Sequence, residues 1–206
     1  MRLAFLCASA AIGFAALPAW PATAETITAA TTPFNIDKCA HKQGREVEDE
    51  GEWRCTGYGG IAVVMTSGDA RVYISYGPRA TREPAARQTL AAPNGEGDSI
   101  EWRLLRGRDG RGRAFATIMR WTTAIPVDDP KVENGTYRGQ VWVVTRLGPG
   151  GVCHVGYVDA RQNPDAIALA RMIADQQARR FRCGRDKPVV LGAKGPGFSG
   201  PYGSDD

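Results

Sequence analysis

The sequence predicts an α+β fold, a single domain with a mostly antiparallel sheet of about six strands and a C-terminal amphipathic helix stapled onto it by a disulfide. Three observations lead there. Short runs of alternating apolar and polar residues, separated by Gly- and Asp-rich turns, recur through residues 59–158. One stretch with a 3.6-residue period follows, over residues 164–182. Cys153 and Cys183 stand at the far ends of that last strand and helix. An extended 153–158 covers about 20 Å, and a helix over 164–182 runs back about 28 Å. A helix folded antiparallel onto its own strand therefore returns Cys183 close to Cys153.

Residues 1–24 carry one arginine, an apolar run and an Ala-Thr-Ala end, the pattern of a secretory signal peptide cut after Ala24. No small-residue lipobox leads into Cys7, which argues against a lipid anchor. The 206-residue chain less these 24 leaves 182 residues, enough for one core. No later run approaches the ~20 apolar residues of a spanning helix, so the expected protein does not cross a membrane. Loss of Arg2 lowers the formal charge from +4 to +3, a balance too mild to name a partner. Four cysteines remain, an even number in an exported chain, which suits two disulfides. Of the possible pairings, Cys39–Cys55 with Cys153–Cys183 closes two local loops and is the one expected.

Residues 25–37 are polar, Thr- and Ala-rich and aperiodic, and read as a mobile lead-in to a domain spanning 38–190. The next segment concentrates Glu46, Glu48, Asp49, Glu50 and Glu52 between Arg45 and Arg54. Strands over 61–66 and 71–76 flank the turn Ser-Gly-Asp-Ala as a hairpin, and a short helix is expected over 83–90. In 99–105, Ile100, Trp102 and Leu104 alternate with Glu101 and Arg103. Strand 113–121 places Phe115, Thr117, Met119 and Trp121 on one face, and 138–147 forms the strand before the Gly-Pro-Gly-Gly turn. Trp102, Trp121 and Trp142 fall on three different strands, as core or sheet-surface packing.

The helix is punctuated at both ends. Asn163 suits its cap, Pro164 its first position, and Asp165 the positive end of its dipole. Arg179, Arg180 and Arg182 suit the last turn, and Gly184 the left-handed residue that ends it. Ile167, Ala170, Ala174, Ala178 and Phe181 form the apolar face, while Asp175 and Arg179, four apart, are placed to pair. Residues 191–206, rich in Gly, Pro and Ser, read as a disordered tail.

Catalytic patterns are sparse. His41 and His154 are the only histidines, and no Cys or His spacing suits a structural zinc, so no metal and no cofactor are predicted. A hydrolase would use His154 as base with Asp159 and a serine such as Ser75 or Ser99, but no G-x-S-x-G elbow occurs. Asp98 and Glu101 are the nearest approach to a carboxylate pair, and no glycine cluster suits a phosphate loop. The prominent charge feature is the turn RLLRGRDGRGR, where Arg103, Arg106, Arg108, Arg111 and Arg113 face only Asp109, a local charge of +4. Guanidinium forks suit carboxylates and phosphates. These five arginines are the candidate contact for an envelope protein, an anionic polymer or a lipid headgroup. The acidic 46–52 loop is an internal alternative. Export argues against nucleic acid.

Taken together, GIAVVMTSGDARVYISYG, QTL, IEWR, FATIMRW, VVTRLGPGGVCHVGYVDA and ARMIADQQARRFRCG resemble a family of small exported proteins of alphaproteobacteria, rhizobial relatives especially. The resemblance spans most of 39–184. It implies a periplasmic location and no particular activity. The expected function is an exported, non-enzymatic binding protein that uses the basic hairpin. The rival expectations are a small periplasmic hydrolase using His154 and a secreted enzyme inhibitor.

Overall fold

A computed structural model describes residues 25–44, 50–107 and 110–203. β1 (Thr26–Pro33), β2 (Ala40–Gln43) and β3 (Gly51–Thr56) lead into the hairpin of β4 (Ala62–Gly68) and β5 (Arg71–Tyr76). A 3₁₀ turn, Ala80–Arg82, follows, and a second, Pro84–Arg87, stands in the 83–90 stretch where a short helix was expected. The two-residue strands β6 (Thr89–Leu90) and β7 (Asn94–Gly95) come next. The long strands β8 (Ser99–Arg106), β9 (Gly112–Pro126), β10 (Thr136–Arg146) and β11 (Cys153–Asp159) follow. Helix α1 (Ala166–Ile173) continues through a π turn, Ala174–Ala178, ahead of β12 (Val189–Val190) and β13 (Pro201–Tyr202).

Three layers result. The main sheet runs β1-β8-β9-β10-β11-β12 with β7 against β9, antiparallel except for the parallel β11–β12 pair. One face packs on the four-stranded sheet β2-β3-β4-β5, where Met65, Ile74 and Tyr76 meet Trp102, Met119, Trp121 and Tyr157. The other face takes the helix, where Ala166, Ala170, Ile173, Ala174 and Ala178 meet Ile118, Val144, Val155 and Val158. With both faces covered, every residue of β11 is buried, which is why that strand reads as a nearly continuous apolar run. Gly156 lets the helix approach, because a Cβ there would press on Ile173. The six strands expected from the sequence correspond to β4, β5, β8, β9, β10 and β11, with Ile61 and Leu147 just outside β4 and β10.

Cys39–Cys55 and Cys153–Cys183 are both bridged, with Cα–Cα distances of 4.7 and 5.8 Å. The second ties the start of β11 to the turn that follows the helical segment. Among the described residues no helix is long and apolar enough to cross a membrane.

Several expectations are corrected. The lead-in over 25–37 is not loose: Thr26–Pro33 is the edge strand β1, paired with β8 along its whole length. Its threonines suit a half-exposed strand, and Thr32 Oγ1 accepts a hydrogen bond from buried Trp102 Nε1 at 2.8 Å. Residues 191–203 of the expected tail are docked. Phe198 packs on the core, Thr123 Oγ1 donates to Gly197 O at 2.6 Å, and Pro201–Tyr202 pairs with β6. Gly139 permits this, since a Cβ there would overlap the Gly197 carbonyl.

Phe115 does not share a face with Met119 and Trp121. The β8–β9 register slips between Arg103 and Leu104, Phe115 becomes the extra residue, and its ring joins the helix-side core. Trp102 and Trp121 are sealed between the sheets, whereas Trp142 faces the helix side under Arg120, so these three do not share one face. The helix begins two residues later than expected, and Asn163 caps nothing. Its side-chain amide instead donates to Asp159 O and Ala193 O, and its oxygen accepts from Ala193 N, anchoring the tail. The helical segment ends at Ala178, so Arg179, Arg180 and Arg182 follow it instead of filling its last turn, and Gly184, left-handed at φ 74°, belongs to a later turn.

Candidate functional site

The arginines of the β8–β9 hairpin divide into two groups. Arg103 points along the sheet toward the helix and is internal, with its side chain 11% exposed. Its Nε and Nη2 donate to Asp175 Oδ1 and Oδ2 at 2.8 and 2.6 Å, and Nη1 donates to Glu101 Oε1 at 3.1 Å. Glu101 also accepts from Arg171 at 2.7 Å. The hydrogen bonds it donates to Asp175 outweigh burial and push the Arg103 guanidinium further above its ordinary value. Arg103 thus locks β8 to the helix, and the expected Asp175–Arg179 pair is replaced by this longer-range one. A bidentate pair across layers is better held than two flexible side chains on one exposed helix face.

Arg106, Arg111 and Arg113 form the second group and are exposed at the hairpin end. Arg106 braces the turn, donating from Nη1 to Gly110 O at 3.1 Å and from Nε to Thr28 Oγ1 at 3.3 Å. Arg108 and Asp109 lie outside the described residues, as do residues 45–49 of the acidic loop. Glu52 of that loop pairs with Arg54 at 2.7 Å. Below the hairpin a cleft of about 290 Å³ is lined by Glu25, Leu105, Arg111 and Arg113. A second, of about 240 Å³, continues past Arg113 to Arg146 and Arg179.

Arg146 and Arg179 were not among the candidates from sequence. Arg146 ends β10, in phase with Val144 on the helix side, so an arginine there signals a buried cation or a rim position. The fold decides for burial: the residue is 6% exposed. Its Nη1 and Nη2 donate to the carbonyls of Phe181 and Pro149, and burial lowers its pKa. Arg179 lies over the Phe115 ring and pairs with Glu25 at 3.0 Å.

The hydrolase constellation does not assemble. His154 is fully buried with its ring edge-on to Trp121, and burial drives its pKa down to about 3. Its Nδ1 lies 2.8 Å from Tyr157 Oη, and Nε2 has no hydrogen-bond partner. Asp159 is spent on backbone, accepting from the amides of Arg161, Gln162 and Gly195. Ser75 is buried and its hydroxyl meets neither. A base of this kind needs a hydrogen-bonded nucleophile and access to substrate, and His154 has neither. Asp98 bonds Ser99 Oγ while Glu101 is held by arginines, so these two carboxylates do not act as a pair. His41 stacks on Trp53 at 4.5 Å, and Cys39, Cys55, Cys153 and Cys183, the cysteines of the described residues, are all in disulfides. No family model, curated protein or solved structure matches the chain.

Proposed function

We propose that this protein is an exported binding protein of the periplasm, kept in shape by its two disulfides, which recognises an anionic envelope component or the acidic surface of an envelope protein. Its contact surface is the end of the β8–β9 hairpin. The observation that carries the reading is the segregation of the hairpin arginines: Arg103 is consumed inside, while Arg106, Arg111 and Arg113 are held outward together. A turn needing charge only for solubility would be served by either sign. Exposed guanidinium groups at a braced hairpin end instead present forked donors to carboxylate or phosphate groups. The disulfides and the leader pattern over 1–24 support the periplasm.

The test is capture from periplasmic extract by the tagged protein at low and moderate salt, with Arg106→Glu, Arg111→Glu and Arg113→Glu combined as control. Capture that weakens with salt and vanishes in the triple variant is the expected result. Capture that survives the reversal, or no capture by the native protein at low salt, overturns the proposal.

A further inference from the structure

We propose that the cleft beneath the Gly148–Gly151 turn is a second, separate site, built for one oxyanion group (a carboxylate or phosphate) of a small ligand. The cleft, about 240 Å³, is lined by Glu25, Arg113, Phe115, Arg146, Pro149 and Arg179. Its floor is the unusual part. Arg146 is 6% exposed, yet among the described residues it has no carboxylate partner. Only the carbonyls of Phe181 and Pro149 accept from it, and its buried Nε donates to nothing. A buried cation without a counter-charge is costly, and an arriving anion offsets that cost.

The rim supplies two more guanidinium groups. The Arg113 side chain makes no hydrogen bond or ion pair among the described residues, and Arg179 is poised over Phe115. Three cations thus face one anion, Glu25. That anion is itself informative, because its carboxylate sits on Arg179 at 3.0 Å, so the cleft already holds the chemical group proposed for it. Glu25 is 59% exposed on the side chain and stands at the start of the described chain, outside β1. An internal carboxylate so exposed is a displaceable occupant, and a better-matched oxyanion reaches Arg179, Arg113 and the field of Arg146 together. The ligand recognised is thus a carboxylate- or phosphate-bearing molecule that displaces Glu25.

The site shares Arg113 with the hairpin surface, so its test leaves Arg113 in place. The exported protein is titrated with inorganic phosphate, and separately with acetate, at constant ionic strength against chloride, following backbone amide NMR shifts. Saturable shifts confined to Phe115 and the Leu147–Val152 segment are expected with at least one anion, and the responding arm identifies the group. Glu25→Gln removes the internal competitor and tightens binding several-fold, whereas Arg179→Gln weakens it about tenfold, the scale of one charge-assisted hydrogen bond. A purely structural Glu25–Arg179 pair would not make the Glu25 variant bind better. Shifts no larger than those of chloride, or equal affinities for native protein and both variants, overturn the proposal. Retained phosphate or acetate binding in the Arg106→Glu, Arg111→Glu protein keeps this site distinct from the hairpin.

Discussion

Acidification should weaken this fold through His154. The ring lies in the core against Trp121 and Tyr157, and burial holds its pKa at about 3 against an ordinary 6.5. Between those values the unfolded chain binds a proton that the folded chain refuses, so stability falls as pH falls. Above pH 6.5 both states are neutral and nothing is lost. Each unit below costs about 1.36 kcal/mol. At pH 4.5 the loss is about 2.7 kcal/mol, levelling off near pH 3 at a ceiling of about 4–5 kcal/mol.

Urea unfolding of the native protein and of His154→Gln at pH 7.0, 5.5 and 4.5 isolates this share. Losses from groups other than His154 are common to both proteins and cancel in the difference. The native protein should lose roughly 2–3 kcal/mol more than the variant between pH 7.0 and 4.5. In the folded native protein, the His154 ring resonances should not titrate between pH 4 and 8. A ring that titrates near 6.5 in the folded state, or two proteins that lose stability in parallel, would refute the reasoning.

Removing the Cys153–Cys183 bridge by double substitution to Ala should cost about 3–4 kcal/mol, from a loop with a sequence separation of 30; an unchanged urea midpoint would contradict it. Arg103→Ala leaves Asp175 partly buried without its partner and should cost roughly 2–4 kcal/mol, while salt-dependent capture by the hairpin stays as it was. If that variant were fully stable but lost capture, Arg103 would belong to the contact surface after all. Gly139→Ala drives a methyl into the Gly197 carbonyl, and should cost roughly 1–3 kcal/mol and open the segment after residue 190 to protease. Native-like resistance would show that the tail does not rely on this contact.

The local half of the fold was legible because its signals are local. The β4–β5 hairpin follows from two alternating runs around a turn in which Asp69 and Ala70 take φ of 53° and 55°. The alternation in β8 marks Trp102 and Leu104 for the core, and the strand-then-helix lengths bring Cys153 to Cys183. The charge of the hairpin is likewise a property of one contiguous stretch, and so is the apolar face of the helix.

What stayed hidden depends on partners far away in the chain. Thr26–Pro33 has too little apolar alternation to announce a strand, and it is one only because β8 offers an open edge about seventy residues later. The Gly- and Pro-rich 191–203 stretch lacks the composition of an ordered segment, yet Thr123, Asn163 and Asp159 meet its backbone polar groups. One extra residue at Phe115 reversed a face that strict alternation assigned otherwise.

The candidate cleft is the extreme case. Glu25, Arg113, Arg146 and Arg179 come from four separate segments, and no local pattern links them. By itself the sequence determined the strands of the sheet that carries the helix, the staple, and a concentrated positive charge. Tertiary structure alone decided which arginine is spent inside and which ones converge on an open cleft. The physical reason is that periodicity reports burial of a residue's own element, whereas the cost and use of a charge depend on what other elements bring within a few ångströms of it.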